Sequence, residues 1–592
     1  MKQGNWLTQF LVWRIKHIND KNFVLMLSIL VGILAGLAAV ALKESVHLIQ
    51  AQVTKNFNFN ETRFYFLLIP PLGILMTLIL AKYILKEKLG HGITTVLYFI
   101  SKKGSKMKRS LQYNRLLTSA VTVGFGGSVG LEAPIVVTGS SIGSNLGRIM
   151  HLSYKKRTLL IGCGAAGAIS AIFNSPITGV IFAIEVIFSE ITIATFIPLL
   201  IASVSGSVVS LSLLGEHVLF SHRIKEDFTE GNILYYIGLG LITGLLSVYF
   251  TRMMFYFESL TYKIKGDLKR ALIGGLALGI IIFILPPLYG EGYGIIKQLL
   301  NDQGETLISN SLFFNNTNNV LFLFIFLFVI IMIKPIATAL TIGSGGSGGI
   351  FGPSLFLGGV TGYFYAILVN FIFGEQIISP ANFTLVGMCG IMSGVLHAPL
   401  TAIFLIAEIT SGYELFIPLM LVSALAYNTA KNFEKFSFYS KPLVESGDLV
   451  NYDKDKQLLS LIDLNKIIEK DLLTIDPEAS LGSLVELVQK SQRNIFPVVS
   501  DKNELVGIVT LDDVRSIMFD EDSRKNIIIK SIMHSPPAYV SSKETMESVM
   551  QKFEITGAWN LPVIDEGKYA GFLSKSRIFN AYRTRLKRQQ KD

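Results

Sequence analysis

The chain is poor in charge. Of its 592 residues only 16% are Asp, Glu, Lys or Arg, whereas half are hydrophobic; a soluble domain carries about 25% charged residues. That deficit excludes an ordinary soluble protein. Cysteine is scarcer still: Cys163 and Cys389 both lie in apolar segments, which excludes a disulfide framework or a cysteine metal site. No metal-ligand cluster and no nucleophile with a positioned base stands out, so neither a resident metal nor enzymatic catalysis is expected. His397 near Thr401 comes closest, but its mate in the repeat described below is Asn174, which marks a structural position. The apolar segments also lack acidic clusters, which disfavours a magnesium or other cation path.

Long apolar runs are what the chain does have. FVLMLSILVGILAGLAAVAL (23–42), FYFLLIPPLGILMTLILAKYIL (64–85) and VLFLFIFLFVIIMI (320–333) have the length and apolarity of spanning helices. About ten or eleven such segments precede residue 430 by the hydropathy window test. The formal net charge of +10 does not point to nucleic acid. Basic residues gather in short loops such as SKKGSKMKRS (101–110) and SYKKR (153–157), as on the cytoplasmic side of a polytopic membrane protein. Trp6, Trp13, Arg14, Lys16 and Lys21 predict an interfacial helix ahead of an uncleaved first span. Composition turns polar near residue 440. The expected layout is a membrane domain over 1–442, with halves at about 20–215 and 230–440, a linker over 443–465 and a cytoplasmic α/β domain over 466–592.

The membrane part repeats itself. GGSVGLEAP (126–134) aligns with GGSGGIFGP (345–353), and Gly139 and Gly143 continue the match at Gly358 and Gly362. NSPITGVIFAIE (174–185) aligns with HAPLTAIFLIAE (397–408), each with Pro, then Thr, then Glu at equal spacing. Such duplications commonly form inverted pairs around a site near the bilayer midplane.

Each first motif is a Gly/Ser run, a proline and an apolar helix. Glycine lets the backbone leave helical geometry, proline suits a first helical turn, and the first amides of a helix lack intrahelical partners. In hydrocarbon those amides must face a cavity or a ligand. Two such starts offer N–H groups and positive dipole ends to one anion without any lysine or arginine. Alternatively the glycines serve only close helix packing. Glu132 is the one carboxylate in either motif.

These residues resemble the CLC family of chloride channels and proton/chloride antiporters. GSVGLEAP is similar to that family's Gly-Arg-Glu-Gly-Pro motif and GGIFGP to its Gly-Lys/x-Phe-x-Pro motif. GHGI (90–93) stands where the family has Gly-Ser-Gly-Ile-Pro, and FYS (438–440) where it has its pore tyrosine. The resemblance spans residues 20–442. It implies an all-α fold of about eighteen helices and half-helices in two inverted halves, and a homodimer with one pore in each subunit. It also implies that Glu132 is the gating glutamate. The amides of Ile350 and Phe351 with the Tyr439 hydroxyl would form the central anion site, and Gly130, Leu131, Glu132 and Ala133 the outer one.

Three departures carry weight. The family serine is His91 and the following proline is Thr94, so an imidazole either donates to the anion or turns away into packing. The motif arginine is Leu131, which removes a positive charge from the outer site. The inner proton glutamate of antiporters is Val186, next to Glu185. That favours passive, channel-like conduction over proton-coupled antiport, with fluoride export a weaker alternative. Glu185 and Glu408 read as helix-end or interface groups before proton carriers, and Lys334 as a snorkelling or helix-end charge.

The tail holds a second duplication. FPVVSDKNELVGIVTLDDV (496–514) matches LPVIDEGKYAGFLSKSRIF (561–579), each with strand, turn, strand and helix start. The pattern resembles tandem CBS domains, at about 466–520 and 528–585, whose members often bind adenine nucleotides. Thr510 and Asp513 match that family's Thr-x-x-Asp, with Ser574 and Arg577 in the second copy. A structural module without a ligand is the alternative.

Overall fold

The computed structural model describes residues 6–54, 64–87, 90–188, 193–215, 228–309, 311, 320–410, 412–448, 459 and 462–591. The chain separates into two compact units, Met1–Leu449 and Val450–Asp592. The division falls inside the stretch read as a linker, where residues 449–458, 460 and 461 lie outside the described set.

The first unit is helical. Among the described residues seven helices are long and apolar enough to cross a bilayer, and four further apolar helices have only 10–17 residues. Some apolar runs of the sequence are therefore, among the described residues, helices too short to span. A ten-residue helix is about 15 Å long, half of the roughly 30 Å hydrocarbon core. Gly92–Ser101 and Pro399–Ile409 are of this short kind.

The two copies fold alike. Glu132–Ile149 packs on Tyr154–Phe173, and Phe351–Phe373 packs on Pro380–Leu396. In the first pair Gly139 and Gly143 press against the backbone of Gly164 and Leu160. In the second, Gly358 and Gly362 meet Gly387 and Phe383 in the same way. A side chain at any of the four would strike main-chain atoms, so the small-residue packing expected of membrane helices operates here. The helices Tyr154–Phe173 and Pro380–Leu396 end at Asn174 and His397, both left-handed, at φ 58° and 55°. His397 thus terminates a helix, as Asn174 does.

The second motif locks the copies together by exchange. Glu185, from the first copy, accepts the Leu400 amide at 3.0 Å and the Thr401 amide and hydroxyl at 2.7 and 2.6 Å. Glu408, from the second, accepts the Ile177 amide at 2.9 Å and the Thr178 amide and hydroxyl at 2.7 and 2.6 Å. Each carboxylate satisfies the open amides of the other copy's helix start and meets its positive dipole end. This is the helix-end role that the sequence favours for both residues.

The second unit holds two antiparallel hairpins. In one, β1 (Ile495–Val499) pairs with β2 (Leu505–Thr510); in the other, β3 (Asn560–Asp565) pairs with β4 (Lys568–Ser574). Gly507 faces Val498 and Gly571 faces Val563, the same register in both. Each hairpin takes a parallel bridge from the segment before it, Ile475 to Val498 and Val540 to Val563. Two more bridges cross between copies: Glu469 pairs with Phe572, and His534 with Ile508.

Candidate anion site and its carboxylate

The two Gly/Ser motifs turn identically. Gly127 N–H bonds to the Thr122 carbonyl at 2.8 Å, and Gly346 N–H to the Thr341 carbonyl at 2.9 Å. The threonine hydroxyls are exchanged: Thr122 Oγ1 accepts the Ser347 amide at 2.9 Å, and Thr341 Oγ1 accepts the Ser128 amide at 3.2 Å. Gly130 and Gly349 then exchange both backbone bonds, at 2.9 and 2.8 Å. A doubly bonded antiparallel pair brings two helix starts to one place. The first intrahelical bonds are Ile135 to Leu131 and Ser354 to Ile350. The amides of Leu131–Ala133 and Ile350–Gly352 therefore have no acceptor in their own helices.

Glu132 fills this junction. It is 1% exposed and accepts the Gly352 amide, from the other copy's helix start, at 3.3 Å. It also takes its own amide and the Tyr293 hydroxyl. At the equivalent position Phe351 packs its ring on Phe173 and Phe182. Tyr439 is buried, and among the described residues its hydroxyl has no protein partner. Its carbonyl accepts the Thr94 hydroxyl at 2.9 Å. A buried hydroxyl, open amides and two dipole ends suit a small anion.

The remaining sequence candidates divide. Ala133 and Ile350 are buried at the two helix starts. The Gly130 amide is committed to Gly349, so Gly130 shapes the turn and does not offer its N–H. The Leu131 amide goes to the Glu291 carboxylate. The His91 ring does not stand free: its Nε2 lies 2.8 Å from Glu258 Oε2, and the ring meets Phe438 edge-on. Val186 is half-buried in the π-helical turn Ala183–Ile187 and packs on the core.

Lys334 departs from expectation, being neither a snorkelling nor a helix-end charge. It is fully buried inside Val320–Gly343, its Nζ 2.9 Å from Ser128 Oγ and 4.6 Å from the centroid of Phe356. It lies roughly two turns or more from either helix end, too deep for its amine to reach an interface. A buried lysine amine thus reaches the Gly/Ser turn before Glu132 although the motif arginine is Leu131.

Tyr293, Glu291 and Glu258 escaped the sequence reading. YGEGYG (289–294) carries the signal for two of them, a carboxylate and a phenol among glycines between apolar runs, as around Glu132. Glu258 had a weaker one, a lone acid near the end of a long apolar helix.

In the second unit Thr510 and Asp513 form a capping box at the short helix Leu511–Val514. The Thr510 amide and hydroxyl both donate to Asp513 Oδ2 at 2.7 Å, and His534 Nε2 lies 3.2 Å from the same oxygen. Ser574 donates to Glu469 at 2.6 Å, and Glu469 also pairs with Arg493. Glu469, Lys470, Arg493 and Arg577 line a cavity of about 380 Å³.

A charge-poor helical unit in which two duplicated helix starts meet at a buried carboxylate defines a multi-pass integral membrane protein of the anion-handling class. The profile of the voltage-gated chloride channel family matches residues 72–431, more than half of the chain, and the chain belongs to that family of chloride-transport proteins, which are not enzymes. CBS domain profiles match 464–520 and 529–584. The chain is 24% identical to chloride channel protein CLC-f of Arabidopsis thaliana, over 96% of this chain and 81% of that one. It is 28% identical to the H(+)/Cl(−) exchange transporter ClcA of Vibrio cholerae, over 68% of this chain and 84% of that one. Its fold matches a slow cyanobacterial Cl−/H+ antiporter with a TM-score of 0.62 over 73% of this chain and 100% of that one, at 22% identity. A eukaryotic CLC transporter matches with a TM-score of 0.60 over 94% of this chain and 97% of that one, at 19% identity.

Proposed function

We propose that the protein moves chloride and related halides across the membrane through the junction of the two helix starts, with Glu132 as a tethered anion that the permeating ion displaces. One observation carries this reading: a carboxylate from one copy rests on the Gly352 amide that opens the helix of the other. Amides that hold a carboxylate also hold a halide. Tyr439, Ile350, Phe351 and Ala133 are the proposed lining, and Leu131 joins it where its amide leaves Glu291. His91 contributes through its place at the start of Gly92–Ser101, its ring being engaged by Glu258.

Passive conduction is supported by Val186, an apolar residue beside Glu185, whose carboxylate is engaged as a cap. Proton-coupled exchange is the second reading, supported by the part-buried His91–Glu258 pair. Chloride and pH recorded together in proteoliposomes test both. Glu132→Gln should remove most of the pH dependence of chloride flux; an unchanged profile refutes the assignment. A reversal potential that follows a proton gradient selects exchange.

Each subunit of a homodimer would carry one such path. In the second unit Thr510, Asp513 and Ser574 are the proposed contacts for an adenine nucleotide, with Arg577 suited to a phosphate. ATP or AMP raising the melting temperature of the chain would support that role.

A further inference from the structure

His91 opens the helix Gly92–Ser101 with extended backbone, and the hydroxyl of Thr94, in its first turn, holds the Tyr439 carbonyl. The His91 ring meets Phe438, next to Tyr439, at 5.1 Å between centroids. Its Nε2 joins a carboxylate whose side chain is 9% exposed, its own side chain being 13% exposed. Glu258 stands one turn before the end of the helix Ile233–Tyr262, and the basic residues Lys263 and Lys265 of the loop and Lys269 and Arg270 of the next helix, Asp267–Ile284, follow it. A titratable pair thus lies beside the tyrosine of the path, toward its basic-loop end.

We propose that His91 and Glu258 form a proton-binding pair thermodynamically linked to chloride in that part of the path. The inference rests on the reading of Tyr439 as a path residue. A neutral imidazole beside a carboxylate carries one negative charge, which opposes an incoming anion where water is scarce. One proton from solvent, taken up by the pair, cancels that charge. No other bond forms or breaks. Chloride at Tyr439 therefore raises the proton affinity of the pair, and by reciprocity the proton raises the affinity for chloride. Histidine is the side chain suited to making this change near neutral pH.

Among the described residues no lysine or arginine pairs directly with Glu258, although cations stand nearby. On its own helix Glu258 accepts the Tyr262 hydroxyl at 3.3 Å. Arg270 sits over the Tyr262 ring, 5.1 Å from its centroid. From the segment after Phe438, Lys441 lies over the Phe255 ring and is paired with Glu434, which also takes Arg252. From Val320–Gly343 the contact is Gly343, which has no charge to offer. Glu132 is the ionisable group beyond Tyr439, and the test removes it.

Glu132→Gln protein in detergent is titrated with sodium chloride by calorimetry at pH about 5.5 and about 8. Buffers of different ionisation enthalpy then count the protons taken up. Chloride should bind at least about fivefold more tightly at the lower pH, with proton uptake on binding. Adding Glu258→Gln, which keeps an oxygen for His91, should bring the two affinities within about twofold and remove the uptake. Adding His91→Gln should do the same. Equal pH dependence with and without these changes overturns the pair as the linked site. Absence of chloride binding at either pH overturns the path itself.

Discussion

Both units are duplications locked by exchange, but they are locked with different groups. In the membrane unit a single main-chain pair, Gly130–Gly349, is backed by side chains aimed at helix starts and turns: Glu185 and Glu408 each cap the other copy's helix, and Thr122 and Thr341 each hold the other's turn. In the C-terminal unit the strand-like bridges Glu469–Phe572 and His534–Ile508 do it, and the side-chain contacts Ser574–Glu469 and His534–Asp513 follow them. The difference follows from solvent. A helix end in hydrocarbon cannot leave its amides to water, so a carboxylate is supplied. A strand edge of the C-terminal unit needs only another strand. The two units also break their symmetry differently. The membrane unit does so at one buried position, Glu132 against Phe351, and the C-terminal unit at a surface turn, Asp513 against Arg577.

The largest effect should come from erasing the first asymmetry. Glu132→Gln should remove the steepest part of the pH profile of chloride flux in proteoliposomes, which in the intact protein should vary by up to about tenfold per unit where the carboxyl titrates. Gly130→Ala sharpens the point, because its methyl would lie 2.1 Å from Glu132 Oε2. It should dislodge the carboxylate and weaken the same profile. Gly349→Ala presses on the Ala133 methyl instead, at 2.7 Å, and should cost stability with less change in pH response.

The exchanged caps come next. Glu185→Ala and Glu408→Ala each strip a charged acceptor from two amides and a hydroxyl, at about 3 kcal/mol. Melting temperatures in detergent should fall by similar amounts. A large drop for one and none for the other would break the equivalence. Thr178→Val and Thr401→Val should each cost about 1 kcal/mol.

In the C-terminal unit Gly571 sits at φ 142°, and a methyl there would lie 2.5 Å from the Glu469 carbonyl oxygen. Gly571→Ala should cost about 2 kcal/mol, whereas Gly507→Ala, 3.1 Å from the His534 carbonyl oxygen, should cost less. Limited proteolysis of the intact chain, followed at fragments beyond residue 450, reads both.

The smallest effect concerns acid. Partial burial of Asp513 opposes its charge, but bonds from Thr510 and the nearby His534 prevail and hold its carboxyl below the ordinary range. A carboxyl lowered on folding contributes stability at neutral pH and loses it as pH falls through its folded value, below about 4. Asp513→Asn should blunt that acid limb in the same proteolysis assay.

Much of this was legible in the chain because it is local or periodic. The apolar runs, the paired Gly/Ser motifs and the Pro-Thr-Glu spacing all repeat within short windows. Glu132 showed itself as the one charge in a duplicated frame. The count of full spans was not legible, because a buried half-helix is as apolar as a crossing one. Nor were the partners. Tyr293 is 161 positions from Glu132, Glu258 is 167 from His91, and Ser128 is 206 from Lys334.

The sequence by itself determined the membrane class, the two duplications and the singular carboxylate, since composition and repetition need no third dimension. Only the tertiary structure decided which amides Glu132 rests on and that Glu185 and Glu408 trade helix ends. It also decided that Lys334 lies against the Gly/Ser turn at Ser128 and that His91 faces a carboxylate. Each of these is a choice of hydrogen-bond partner between segments far apart in the chain. That choice is made by which helices pack together, and the spacing along the chain does not record it.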